Sequence, residues 1–244
     1  RLRGLPESQR RRPVSASPAI SVIIPTLNEA DELPATLRHA RALDGLREII
    51  VVDAGSTDGT RDLAHAAGCH VLKSAPSRGR QLRLGAEAAT GDLLVFLHAD
   101  TWLPPCADVH IRTLMDRPDI SAGAFYKRFR DHGALPGSRA RCWMLWALAN
   151  RFFGDQAIFV RRRQLEALGG VPAVPLMEDY ALCERMAQVG RLALAPGTVH
   201  TSARKFREEG MGMTYARMIR CSVQYWGGAS PESLQAIYSP RLSA

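Results

Sequence analysis

Carboxylates stand where the apolar runs of this chain stop. Asp53 follows the run Glu48–Val52, Asn28 and Glu29 follow Ile20–Ile24 after Pro25 and Thr26, and Asp100 follows Asp92–Leu97. A carboxylate at such a position can accept hydrogen bonds from a base or ribose, or hold a divalent cation through hard oxygen ligands. His98, two residues before Asp100 and on the same side of an extended chain, adds an imidazole able to hydrogen-bond or to ligate a metal. Arg78 and Arg80 flank Gly79 at a helix start; guanidinium groups and a helix amino terminus together suit phosphate, and the same residues also make a solvated basic turn. Glu178 and Asp179 open a later helix, where they complement the macrodipole, and a carboxylate so placed is a candidate general base for a hydroxyl proton. Asp53-Ala54-Gly55-Ser56 reads equally as a turn and helix cap, and Asp58 and Thr60 read as capping residues.

Positioning these groups requires strands that end in polar turns. Ile20–Ile24 is expected as a first strand, followed by a helix opened by Asp31-Glu32-Leu33-Pro34 with Leu33, Leu37 and Ala40 at helical spacing. Glu48–Val52 is a second strand; Thr57 or Asp58 is expected to cap a helix that runs to about Ala67 and ends at Gly68. His70–Lys73 is a third strand, Arg78 to about Ala89 a helix, and Asp92–Leu97 a strand buried on both faces. Alternating strands and helices predict a mainly parallel sheet with right-handed crossovers, whose carboxyl edge is where nucleotides bind. Further on, Ser121–Phe129 and Ala157–Val160 read as strands, and Ser138–Asn150 and Glu178–Val189 as helices. Thr214–Trp226 is amphipathic, with Met218, Ile219, Val223 and Trp226 opposite Arg217 and Arg220. Core packing is the first reading of that stretch; contact with a membrane bearing a lipid acceptor, or with a second copy in a homodimer, are the others.

The 244 residues, 46% hydrophobic, suffice for one sizeable domain. Half of the formal charge of +8 lies in residues 1–18, where five arginines face Glu7 alone, and this basic tail is expected to be disordered. It has no apolar segment resembling a secretory signal. No apolar run approaches the ~20 residues that span a bilayer, and Cys142–Ala149 reads as a buried helix, with a membrane-surface element as the alternative. The five cysteines form no C-x-x-C pair or disulfide framework, so reduced, buried thiols in a cytoplasmic protein are expected. Lysine occurs only at 73, 127 and 205, and no basic stripe interleaved with aromatic residues suggests a nucleic-acid partner.

Taken in order, Pro25-Thr26-Leu27-Asn28-Glu29, Val52–Thr60, Phe96-Leu97-His98-Ala99-Asp100-Thr101 and Glu178-Asp179 resemble the family 2 glycosyltransferases of GT-A fold, from about Ile20 to Tyr238. The strings Leu97–Thr101, Gly154–Arg162, Pro175–Asp179 and Thr201–Arg204 are similar to a bacterial subgroup known as arsenosugar-biosynthesis-type, or radical-SAM/selenodomain-associated, transferases. The resemblance implies a Rossmann-like three-layer α/β sandwich over residues 19–244, with a mainly parallel central sheet and a carboxyl-terminal helical region. It implies an inverting, metal-assisted transfer of sugar from a nucleotide-diphosphate sugar, UDP- or GDP-linked, to an acceptor hydroxyl it leaves open. By position, Pro25, Thr26, Asn28 and Glu29 would line the nucleotide pocket, Asp53 would meet the base, and Arg78 would lie near the nucleotide. Asp100 matches the last acid of the D-x-D motif that holds Mg2+ or Mn2+ and the donor diphosphate. Gly154, Asp155 and Gln156 would sit near donor sugar and acceptor, Asp179 would be the base with Glu178 beside it, and Arg204 would reach phosphate. Ser202, Lys205 and Phe206 only loosely fill the place of a Q-x-x-R-W-like element. The chain departs from the pattern at His98, which replaces the first acid of D-x-D and leaves the metal's identity open. A non-catalytic nucleotide-sugar binder is the alternative; the missing glycine-rich phosphate loop argues against a dehydrogenase or pyrophosphorylase.

Overall fold

The computed structural model describes residues 17–130, 138–204, 207 and 210–238. The expected tail thus lies almost wholly outside the described residues, as do Lys205 and Phe206. Chain order is β1 (Ile20–Thr26), α1 (Leu33–Arg41), β2 (Leu46–Asp53), α2 (Thr60–Ala66), β3 (His70–Lys73), α3 (Arg78–Ala88) and β4 (Leu93–Phe96). Then come β5 (Thr101–Trp102), α4 (Ala107–Met115), β6 (Ile120–Phe129), α5 (Ser138–Ala149), a 3-10 turn (Gly154–Gln156), β7 (Ile158–Arg161) and α6 (Arg162–Ala167). The chain continues through α7 (Glu178–Ala187), β8 (Arg191–Thr201), α8 (Met211–Trp226) and α9 (Pro231–Tyr238).

One eight-stranded sheet runs β3-β2-β1-β4-β7-β6-β8-β5. Its first four strands are parallel, as the alternation of strands and helices predicts. Direction reverses at β7, which lies antiparallel to both β4 and β6, while β8 runs parallel to β6 and the short β5 antiparallel to β8. Neighbouring residues of one strand feed opposite cores, which is why the central strands are apolar throughout. Val22, Ile24, Val51, Val95 and Leu97 pack with Leu33 and Leu37 of α1, Ala64 of α2 and Ile111 of α4. Ile23, Ile50, Val52, Leu94 and Phe96 pack on the other side with Leu82 of α3, Leu165 of α6 and Met186 of α7. Helix, sheet and helix form three layers.

Several expectations change. The amino cap of α2 is Gly59; Asp58 instead accepts from Thr60 N–H (3.0 Å), from the Thr60 hydroxyl and from Ala30 N–H (2.9 Å), tying two loops together. Cys142–Ala149 is helical but not a buried helix: Cys142 is covered, whereas Trp143 and Met144 are about half exposed and Leu148 is 80% exposed. Core packing fails likewise for much of Thr214–Trp226, since Ile219, Val223 and Trp226 are each more than half exposed. All five cysteines are free, but Cys106 is exposed and Cys69 half-buried. The long strand β8 carries no clear sequence signature because Pro196-Gly197 interrupts it. The pairing with β6 steps from Ala195 opposite Phe125 to Thr198 opposite Tyr126, leaving a bulge in which Gly197 takes φ +111°.

The reversal has a geometric result. The carboxyl ends of β1, β2 and β4 lie at one edge of the sheet. Because β7 runs the other way, its beginning meets that edge, together with the ends of β6 and β8. Residues 25–29, 98–100, 127–129, 153–156 and 201–204 are thereby drawn to one rim, under the amino terminus of α7.

Candidate active site

At that rim opens a cleft of about 300 Å³, lined by Pro25, Glu29, Arg78, His98, Asp100, Lys127, Gly154, Asp155, Asp179 and Arg204 among others. Asp179 is fixed by the backbone. Its Oδ2 accepts from Gly154 N–H (2.8 Å) and its Oδ1 from Tyr180 N–H (2.8 Å). Burial, reinforced by the neighbouring Glu178 carboxylate, outweighs those two bonds and pushes the Asp179 carboxyl up to about 7. Such a group is far more basic than an ordinary aspartate, which suits a general base. Gly154 is positioned by close approach: a Cβ there would lie 3.0 Å from His98 Nε2 and 3.6 Å from Asp179 Oδ2.

His98 itself is held neutral. Burial, followed by the positive charge of Arg78, lowers its imidazole to about 3. Asp100 moves in the opposite direction: burial first, then the negative charge of Asp155, raises its carboxyl above the ordinary value. Oδ1 of Asp100 receives the hydroxyls of Thr101 (3.2 Å) and Thr201 (3.5 Å). Behind it, Arg130 donates to the Asp100 carbonyl (3.0 Å) and to Glu32 (2.7 Å), with its guanidinium 3.9 Å from the centre of the Trp102 ring. These bonds fix the loop that presents Asp100.

Lys127 and Asp155 form a buried ion pair across the floor, with Nζ 2.7 Å from both carboxylate oxygens. The ammonium also lies 4.1 Å from the centre of the Phe153 ring. Burial alone would raise Asp155, but the Lys127 charge and hydrogen bond, together with the other positive groups around it such as Arg78, outweigh it and the carboxyl stays below its ordinary value. Sequence reasoning passed over Lys127. The available signal was a lysine, rare in this arginine-rich chain, inside a mainly apolar strand whose one other charged residue is Arg128.

At the mouth, Arg204 grips Glu29 with both carboxylate oxygens at 2.8 and 2.9 Å, joining the loops after β1 and β8. Burial raises the Glu29 carboxyl in spite of that bond. Arg78 stands beside Glu178 (3.3 Å), and Ser77, whose hydroxyl accepts from Arg80 N–H, caps α3. Glu178 lines an adjoining recess with Arg78 and Asp179.

Other expected residues support the rim without lining the cleft. Asp53 is buried and spends its carboxylate on its own turn, accepting from the Ser56 hydroxyl, from Ser56 and Gly55 N–H (3.0 Å each) and from the Thr26 hydroxyl (3.2 Å). Burial opposes ionisation there, yet these bonds together hold the carboxyl below its ordinary value. Asn28, at φ +56°, accepts from Thr57 N–H (2.9 Å) and so joins the first two loops. Gln156 bridges Phe125 carbonyl (2.7 Å) and Phe153 N–H (2.8 Å), fixing the turn that carries Gly154 and Asp155.

An α/β sheet with acids and arginines gathered at its switch edge is the GT-A arrangement. The mannosyltransferase PcManGT from Pyrobaculum calidifontis, solved in complex with GDP-Man and Mn2+, superposes with a TM-score of 0.66 at 23% identity, covering 91% of this chain and 69% of that one. Glucosyl-3-phosphoglycerate synthase from Mycobacterium tuberculosis, solved with Mn2+ and UDP-glucose, gives 0.57 at 24% identity, covering 77% and 71%. The profile of glycosyl transferase family 2 matches residues 21–165, more than half of the chain, and the chain belongs to that family. A PGL/p-HBAD biosynthesis glycosyltransferase of Mycobacterium bovis (strain BCG / Pasteur 1173P2) is 40% identical over 177 residues, 63% of each protein. Glycosyltransferase AglJ of Haloferax volcanii is 39% identical over 70 residues, 28% of this chain and 23% of that protein. The matches span less than two thirds of the length of these curated relatives.

Proposed function

We propose that this protein is an inverting glycosyltransferase that moves a sugar from a UDP- or GDP-linked donor to an acceptor hydroxyl, with Asp179 as base. The observation that carries the reading is Asp179 itself: a carboxylate held by two backbone N–H groups, raised in basicity, and opening into the cleft that also holds Asp100, Arg78 and Arg204. In the reaction Asp179 takes the acceptor hydroxyl proton. The oxygen forms a bond to the anomeric carbon from the face opposite the leaving group, and the carbon–oxygen bond to the diphosphate breaks, its electron pair leaving with the phosphate. Arg78 and Arg204 stabilise the charge that accumulates there.

A divalent cation fits the residues present. Asp100 is a half-buried carboxylate whose ionisation is disfavoured by desolvation and by Asp155, and a cation would relieve that cost. Among the described residues no group of three or more His, Cys, Asp or Glu side chains is arranged around one point, so phosphate oxygens and water would complete the coordination, as is usual for Mg2+. When bound, Mg2+ or Mn2+ supplies charge neutralisation for the departing diphosphate. Neutral His98 stays beside this point as a hydrogen-bonding or ligating imidazole. Membership of the arsenosugar-biosynthesis-type subgroup is a finer part of the same proposal and rests on the strings around His98, Gly154, Glu178 and Thr201.

Titration calorimetry with UDP and GDP, with and without Mn2+, paired with a donor-hydrolysis assay, tests the reading. One nucleotide should bind more tightly with Mn2+, and Asp100→Asn should erase that gain. Failure of both nucleotides to bind, or an unchanged metal effect in the variant, would refute it.

A further inference from the structure

Beside the charged cleft lies a second cavity of about 420 Å³, between α5 and α8, within the size range of small-molecule sites. Its character is opposite. Met144, Leu145 and Leu148 of α5 face Ile219, Val223 and Trp226 of α8 across it. Leu148 is 80% and Ile219 63% exposed, so the two helices present apolar faces to a gap rather than to each other. Groove-lining polar groups are engaged: Arg141 donates to the Tyr215 hydroxyl (2.5 Å), and the Ser222 and Tyr180 hydroxyls lie 3.3 Å apart.

The groove is not separate from the site of chemistry. Lys127, Phe129, Phe153 and Met218 line both cavities. Phe153 immediately precedes Gly154, whose N–H holds Asp179, and Tyr180 immediately follows Asp179 while its side chain lines the groove. The groove thus adjoins the cleft that Asp179 lines. Along α8 the lining residues run from Tyr215 to Trp226, roughly 16 Å at the rise of an α-helix. A trough of that length, walled in part by methionine and branched aliphatic side chains, matches a flexible chain better than a compact polar sugar.

We propose that the groove is the acceptor subsite and that the acceptor is an amphiphile, a long aliphatic chain bearing the hydroxyl that meets Asp179. This rests on the transferase reading above. The donor then occupies the charged half and the acceptor's tail the apolar half, joined at the wall made by Phe153 and Met218.

The test uses the full chain and n-alkyl β-D-glucosides from butyl to decyl, kept below their micelle concentrations, with binding read by calorimetry. Burial of each methylene should raise affinity roughly two- to four-fold. Leu148→Asp and Val223→Asp, both at exposed positions, should each lower octyl glucoside affinity at least ten-fold, while melting temperature and affinity for UDP or GDP stay unchanged. An affinity independent of chain length, or indifferent to both substitutions, overturns the proposal. It is equally overturned if sedimentation shows a dimer that Val223→Asp dissolves, or if phosphatidylglycerol vesicles bind while monomeric glucosides do not. Nucleotide binding is read separately: its loss with the chain-length trend intact refutes the transferase reading and leaves the amphiphile groove, whereas a flat trend with nucleotide bound refutes the groove alone.

Discussion

Asp179→Asn tests the electrostatics of the site without any knowledge of the acceptor. Folding raises the Asp179 carboxyl from an ordinary value of 3.8 to about 7, so the folded protein holds this proton more tightly than the unfolded chain. The favourable contribution is complete below about pH 4 and is lost as pH rises toward 7, because in that window the unfolded state has released a proton the native state keeps. The slope is about 1.4 kcal/mol per pH unit for one proton. Over pH 5 to 8 this would reach about 2.6 kcal/mol, and because the carboxylate opens on to the cleft, solvent screening brings the expected loss to roughly 1–2 kcal/mol. Asparagine cannot titrate. It also cannot accept both the Gly154 and Tyr180 N–H groups, which adds a pH-independent cost of roughly 1–3 kcal/mol. Thermal melts of both proteins from pH 5 to 8 separate the two effects. The wild type should lose about 2–8 °C relative to the variant across that range, at ~2–4 °C per kcal/mol for a chain of this size. A difference in melting temperature that stays constant with pH would refute the raised basicity and, with it, the reason for choosing Asp179 as base.

The buried pair and the close-packed glycine yield further expectations. Lys127→Met leaves the Asp155 carboxylate buried beside Phe153 with its ammonium gone and should cost roughly 3 kcal/mol; adding Asp155→Asn should recover most of that, as read by urea unfolding of the single and double variants. Gly154→Ala brings a methyl to 3.0 Å from His98 Nε2 and beside Asp179, and should lower turnover on the order of 10²-fold by displacing the base, with nucleotide affinity measured by calorimetry unchanged.

The parallel half of the fold was readable because its information is local. Val22–Ile24, Ile49–Val52 and Leu93–Phe96 are unbroken apolar strands that must be covered on both sides. Asp100 follows such a strand and Asp179 opens a helix, so both stood out by position, whereas Asp155 and the meeting of the three acids at one site were implied only by the resemblance to family 2 glycosyltransferases. What escaped was non-local. Lys127 finds Asp155 only once β6 lies beside β7, and nothing within a few positions of either predicts the pair. Asp53 allowed two readings, and only the coordinates of Thr26 and Ser56 reveal how fully the turn engages its oxygens. The apolar content of α5 and α8 marked them for burial, since periodicity identifies a face but not whether a partner covers it. Pro196-Gly197 hid β8 by placing two poor strand formers in the middle of a strand that accommodates them as a bulge.

The about-turn of the chain between β4 and β7 divides responsibilities. Strands β1 to β4, locked by their crossover helices, form a foundation whose hydrogen bonds owe nothing to α5 or α8. The two helices hang over the same opening as a roof, outside the ladder. Substitutions on the exposed sides of α5 and α8 leave the hydrogen bonds of the four parallel strands untouched, while Trp146 of α5, whose indole N–H donates to the Leu192 carbonyl (2.8 Å), ties that helix to β8 in the other half of the sheet.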